Sequence, residues 1–224
     1  MVNFENYYLL KEELADNNVK LIAVSKNQSA ENIQILYNKD HRDFGENKAQ
    51  ELVSKYKELP VDINWHFIGH LQSNKIKSII PFVTLIHSVD SFKLLVEINK
   101  EAAKAGRVAD CLLQVYIARE ESKFGLDQEE LKEILNSDKF HELQNIRITG
   151  LMGMATFTDN QIIVRQEFRF LYNLFSKIKS EYFRDQLFFK DLSMGMSDDY
   201  KIAIEEGSTM IRVGTYIFGQ RKYS

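Results

Sequence analysis

At 224 residues the chain is the length of one large domain or two small ones, and its 44% apolar content is enough for a core, which excludes intrinsic disorder. The 29 Lys+Arg and 32 Asp+Glu residues leave a net charge of −3, so no strong positive field recruits nucleic acid or an anionic membrane. A lone cysteine, Cys111, excludes an intramolecular disulfide and a Cys-rich zinc site, and suits a reducing compartment.

The opening MVNFENYYLL lacks the basic and long apolar regions of a signal peptide. Segment 79–86 is interrupted by Pro81 and Thr84, and it falls far short of the roughly 20 residues a spanning helix needs. A soluble cytoplasmic protein is expected. The first strand is predicted at 21–25, followed by a helix that Ser29 can N-cap and that runs to about residue 39. A strand at 42–45 and a helix from Asn47 to about Glu58 come next, then strands at 65–69 and 84–89. Asp90 can N-cap the following helix, which carries Phe92, Leu95, Val96 and Ile98 and ends at Gly106 as its C′ residue. Beyond a strand at 111–117, Asp127 with Glu130 forms a capping-box pattern. A strand at 146–154 precedes a long helix whose apolar stripe is Leu171, Leu174, Phe175 and Ile178. The seventh strand, 190–196, leads into a helix that opens at Asp198 and Asp199 and stops at Gly207. The eighth spans 210–219.

Strands alternating with helices imply βαβ units and a parallel sheet. Eight units of about 28 residues each suit a single (β/α)8 TIM barrel occupying 1–224, with no linker-like stretch to divide it. A doubly wound sheet is the alternative, but the Gly-rich fingerprint after its first strand is absent: the chain there reads Val24-Ser25-Lys26-Asn27.

In a barrel the working residues gather at the C-terminal ends of the strands. Lys26 ends the first strand at the rim of an apolar run, where partial desolvation suits a Schiff-base amine; a snorkelling lysine is the plainer alternative. Ser197 after strand seven, with Gly214 and Thr215 at the end of strand eight, matches the recurring barrel phosphate site, and Gly195 and Gly214 making only turns is the plainer alternative. Arg212 shares an inward face with Gly214 by strand alternation, so it must meet a ligand or pair with an acid such as Asp43 or Glu46. His66 and His70 lie four apart, but on a strand running into a turn rather than on a helix. No third ligand is apparent, so a metal is not expected. The stretch containing Ser122-Lys123-Phe124-Gly125 reads as a solvated loop. A lysine facing a phosphate cradle and an arginine suits pyridoxal 5′-phosphate (PLP), with an arginine disfavouring protonation of the pyridine.

Val24-Ser25-Lys26, Phe44-Gly45-Glu46-Asn47, the run from Trp65 to Lys75, Gly150-Leu151-Met152, the run from Leu192 to Asp199 and the run from Arg212 to Gly219 resemble, in order, the motifs of the pyridoxal phosphate homeostasis protein family. That family is similar to the barrel domain of alanine racemase without its β-rich second domain. The resemblance implies that Lys26 carries PLP as a Schiff base. It implies that Ser197, Gly214 and Thr215 hold the phosphate together with Ser193, that Arg212 faces the pyridine nitrogen, and that Asn47 and His66 line the pocket. Lys123 also matches a family motif. Two positions depart from the pattern: Tyr116 stands where an asparagine is usual, and Asp40 where a glycine ends the helix.

Three functions compete. A PLP carrier without robust turnover is favoured, because a racemase needs a base on each face of the substrate carbanion and only residues 220–224 follow the last strand. A racemase-like PLP enzyme would need Tyr116 or another phenol as the missing acid. A Schiff-base aldolase would need Lys26 without cofactor. The expected partners are PLP and, transiently, PLP-requiring apo-enzymes, and the protein is expected to be a monomer.

Overall fold

The computed structural model of the chain describes residues 2–118 and 124–219. Eight parallel strands close into a barrel in sequence order: β1 Lys20–Val24, β2 Asp43–Glu46, β3 Asn64–Phe67, β4 Leu85–Val89, β5 Ala109–Gln114, β6 Ile146–Met152, β7 Asp191–Ser193 and β8 Met210–Val213. Closure comes from β1 against β8, with Ile22 beside Arg212. The barrel and the alternation of its helices are as the sequence predicts.

The helices are α1 Phe4–Asn17, α2 Ala30–Tyr37, α3 Ala49–Glu58, α4 Ser73–Ile79, α5 Phe92–Lys104, α6 Gln128–Asn136, α7 Asp138–His141, α8 Gln161–Tyr182, α9 Tyr200–Glu205 and α10 Thr215–Phe218. Helix α1 precedes the first strand and packs against α10 and β1. Its place is tied by the Asn3 N–H to the Ile217 carbonyl (2.8 Å) and by Asn6 Nδ2 to the Tyr216 carbonyl (2.9 Å).

Strand alternation divides the apolar residues into two sets. Outward-facing Phe44, Trp65, Cys111, Leu151 and Ile211 join the helices in one large core. Inward-facing Ile22, Leu85, Leu112, Met152 and Met210 fill the barrel. Buried polar side chains, His66, His87, Ser193 and Arg212 among them, share the strands with these apolar residues.

Several boundaries differ from expectation, among them β5, which runs Ala109–Gln114 where 111–117 is predicted. The eighth strand stops at Val213, and Thr215–Phe218 forms a helical turn in place of a strand running to 219. The seventh stops at Ser193, because Gly195 at φ +95° leaves the extended region. The cap of α5 is Ser91 rather than Asp90: Ser91 Oγ accepts from the Leu94 N–H (3.3 Å). Asp127 and Glu130 make the expected capping box, and Asp40 adopts the left-handed conformation (φ +60°) in which a glycine is usual. Among the described residues no helix is long and apolar enough to cross a membrane.

Candidate functional site

Lys26 stands in the turn that follows β1. The turn is closed by the Gln28 N–H to the Ser25 carbonyl (2.9 Å), with Asn27 in the left-handed region (φ +60°) that asparagine tolerates. A charged cluster braces it from behind. Lys55 of α3 is buried and donates to the Ser25 carbonyl, Glu46 Oε1 and Glu51 Oε1, each at 2.7 Å. Ser25 Oγ donates to Glu46 Oε1 and the Asn27 N–H to Glu51 Oε1, both at 2.6 Å. Residues 25 and 27 are therefore held on both sides of Lys26. Burial raises the Glu46 carboxyl from its ordinary range, and the charge and hydrogen bond of Lys55 work against that rise.

A cavity of about 250 Å³ opens at the C-terminal mouth of the barrel. Its wall includes Lys26, Asn47, Ser197, Arg212, Gly214 and Thr215, all six expected from the sequence. The loops after β7 and β8 meet there, the Gly214 N–H lying 3.4 Å from Ser197 Oγ. Gly195 permits the turn that brings Ser197 round: a Cβ at residue 195 would stand 2.6 Å from the Ala203 Cβ. Gly214 has no left-handed requirement. Its need is close approach, since a Cβ there would lie 3.1 Å from the Val24 carbonyl oxygen.

Two expected residues do not line the cavity. Ser193 lies beneath it, accepting from Arg212 Nη1 (2.6 Å). His66 lies deeper, its Nδ1 against His87 Nε2 (2.9 Å) and its Nε2 against Asp43 Oδ1 (3.1 Å). The acids considered for Arg212 are engaged elsewhere: Glu46 with Lys55, and Asp43 with Lys20 (3.6 Å) and His66. Arg212 is instead held by Ser193 and by the Gly153 carbonyl (3.0 Å). Burial pulls its guanidinium down to about 10, with the charge of Asp199 opposing the fall, so it stays a cation at neutral pH.

The other histidine of the pair, His70, is half-exposed, sits 3.1 Å from Asp90 and stacks on Phe124. The two rings therefore serve separate places, and among the described residues no three His, Cys, Asp or Glu side chains cluster to hold a metal. Tyr116 follows β5, its N–H donating to the Leu126 carbonyl (2.9 Å), and is not on the cavity wall. Lys123 lies outside the described residues.

Sequence reasoning missed the apolar part of the wall, Ile68, Met154, Phe157 and Met196, together with Asp198. It also missed His87. A histidine in the otherwise strand-like Leu85-Ile86-His87-Ser88-Val89 was the available signal, since a buried imidazole needs polar neighbours.

The alanine racemase N-terminal domain family model matches residues 4–222. The pyridoxal phosphate homeostasis protein of Aquifex aeolicus is 42% identical over 209 residues, spanning 93% of this chain and 90% of its own. PipY of Synechococcus elongatus, solved with PLP bound, superposes with a TM-score of 0.86 at 36% identity, covering 96% of this chain and 99% of PipY. An alanine racemase of Clostridium difficile shares the fold at a TM-score of 0.74 and 14% identity, with 58% of its length matched.

Proposed function

The chain belongs to the pyridoxal phosphate homeostasis protein family, built on the alanine racemase N-terminal-domain fold, and we propose accordingly that it binds PLP at Lys26 and serves the homeostasis of that cofactor without robust turnover. The convergence of Lys26, Arg212, Ser197, Gly214 and Thr215 on one cavity carries this reading. The donor set suits each part of the ligand. A lysine amine meets an aldehyde, two hydroxyls and a close-approaching glycine meet a phosphate, and a cation meets the ring nitrogen. The buried Asn47 Oδ1, without a hydrogen-bond partner among the described residues, adds an unsatisfied acceptor at the same wall.

Bound here, PLP would supply an aldehyde, an electrophile suited to a lysine amine. Lys26 provides that amine, and the Glu46–Lys55–Glu51 brace fixes the turn that presents it. Arg212, which keeps its proton, would place a cation near the ring nitrogen, and a cation there disfavours protonation of the ring and so weakens it as an electron sink. Ser197 and Thr215 would hold the phosphate, and Ile68, Met154 and Met196 offer an apolar wall to the ring. Besides Lys26 and Arg212, Asp198 is the one ionisable group on the wall among the described residues. A racemase-like enzyme would have to use it as the opposing base. The intact protein would act as a monomer, passing PLP to apo-enzymes that require it.

The test is the visible spectrum of the purified protein beside Lys26→Ala, before and after borohydride. A visible band that is lost in the variant, and fixed by reduction onto the Lys26 peptide, is expected. A colourless wild-type protein that cannot be loaded with PLP would overturn the assignment. Amino-acid racemisation at roughly 1 per second or faster would replace the carrier reading with the enzyme reading.

A further inference from the structure

The polar residues inside the barrel form one continuous chain of hydrogen bonds. It begins at Arg212 on β8, passes to Ser193 on β7 (2.6 Å), and crosses the interior to His87 on β4 (2.9 Å). It continues to His66 on β3 (2.9 Å) and to Asp43 at the start of β2 (3.1 Å), where Lys20 of β1 stands 3.6 Å away. Arg212 faces the cofactor cavity, whereas Lys20 and Asp43 line a separate cleft at the N-terminal mouth. His66, His87, Ser193 and Arg212 are all buried. The register of β4 against β5 shifts between Ile86 and Val89, and His87 lies within that interval; such irregularities re-aim a side chain.

The direction of every bond is set by its ends. An ionised carboxylate only accepts, so His66 must carry its proton on Nε2 and leave Nδ1 as an acceptor. His87 must then donate from Nε2 and accept at Nδ1. The Ser193 hydroxyl must donate to that Nδ1, which leaves its oxygen to accept from Arg212. One cation and one anion thus terminate a chain of neutral groups with a single permitted proton order. The surroundings agree. Burial works to raise the Asp43 carboxyl, but the hydrogen bond from His66, with Lys20 and His41 close by, outweighs it and keeps the carboxyl below its usual range. His66 is pushed down by burial against the pull of Asp43 and Asp191, with Lys20 adding to the fall. His87 is pushed down by burial, His66, Arg212 and Lys20. Asp199 is the acid that acts on Arg212.

We propose that His66 and His87 are positioning residues through which Asp43, at the opposite mouth of the barrel, orders the Arg212 guanidinium and so sets the electronic state of the bound cofactor ring. The effect on the ring rests on PLP being the ligand; the ordering of Arg212 does not.

Nitrogen-15 NMR of the unliganded protein tests the chain first. Both imidazoles are expected neutral with the proton on Nε2, and the Arg212 side-chain N–H groups are expected to exchange slowly. In Asp43→Asn, whose amide both donates and accepts, the imposed order is lost: His87 populates both tautomers and Arg212 exchange accelerates at least about tenfold. His87→Asn, which keeps an acceptor for Ser193 but cuts the link to His66, gives the same acceleration and is the second variant should the first fail to fold. In PLP-loaded protein, either variant moves the pH midpoint of the visible band by about one unit, a tenfold change in the proton equilibrium. A merely structural role would lower Tm and leave that midpoint in place. Wild-type rings protonated on Nδ1, or variants with unchanged Arg212 exchange and an unchanged midpoint, overturn the proposal. Wild-type protein that takes up no PLP defeats the functional reading alone, and the NMR measurements then decide the ordering of Arg212.

Discussion

His41 shows how the fold converts an unremarkable residue into a pH-dependent contribution to stability. Its ring is buried between Tyr7 and Phe44, with Nε2 2.9 Å from the Asp43 carbonyl. Burial lowers its pKa from 6.5 to about 4, and the Asp43 hydrogen bond only partly offsets this. Between those values the unfolded chain binds the additional proton, so stability rises with pH. The contribution is full above 6.5 and is lost as pH falls through about 4. The loss is about 3 kcal/mol. Urea unfolding at several pH values checks this: His41→Asn is expected to flatten the wild-type decline across that window. At the same scale, Lys26, Ser197, Gly214 and Thr215 could be read from the sequence because each ends a strand or opens a turn. The companions of Arg212 could not. Alternation along β8 makes it face inward, but whether Glu46, Asp43 or Ser193 answers it depends on how strands far apart in sequence are staggered. Lys55 illustrates the same limit, since its partners Ser25 and Glu46 lie on two other elements.

Among the elements, the helix caps separate local from non-local information. Ser29 and Asp127 cap as their sequence context predicts, because the bonds they make lie within three residues. Asp90 and Ser91 compete at the start of α5. Asp90 is drawn instead to His70, 20 residues earlier, which leaves the cap to Ser91. Ser91→Ala is accordingly expected to cost about 1 kcal/mol of stability. Asp90→Ala, which loses a half-exposed contact with His70, is expected to cost less, about 0–1 kcal/mol. Chemical denaturation of the two variants side by side measures the difference. Sequence pattern overextends β7 and β8 because Met194, Met196, Ile217 and Phe218 are as apolar as strand residues. Hydrophobicity does not distinguish the last residues of a strand from the first turn of the helix or loop beyond it. Helix α1 carries Tyr7, Leu10 and Leu14 on its buried face, a helical spacing present in the sequence.

For the whole molecule, a ligand that binds only the folded barrel must stabilise it. PLP at one hundred times its Kd is expected to add about 2.7 kcal/mol. For a chain of this size that is roughly 5–10 °C in Tm. Differential scanning fluorimetry would show the shift in wild type, and a smaller one in Lys26→Ala at the same PLP concentration. The eight alternating units, the closed parallel barrel they form, and the strand ends that carry Lys26, Ser197, Gly214 and Thr215 were all legible in the amino-acid order. They arise from periodicity and turn chemistry, which act over a few residues, and from motifs that can be read in order. What fills the barrel was settled by tertiary structure alone. Closing β1 onto β8 brings Arg212, Ser193, His87, His66 and Asp43 into one line, although they are spread over residues 43–212. Each of these side chains had to be paired on leaving water, and which one pairs with which is set by strand stagger and barrel curvature, quantities that no local stretch of sequence carries.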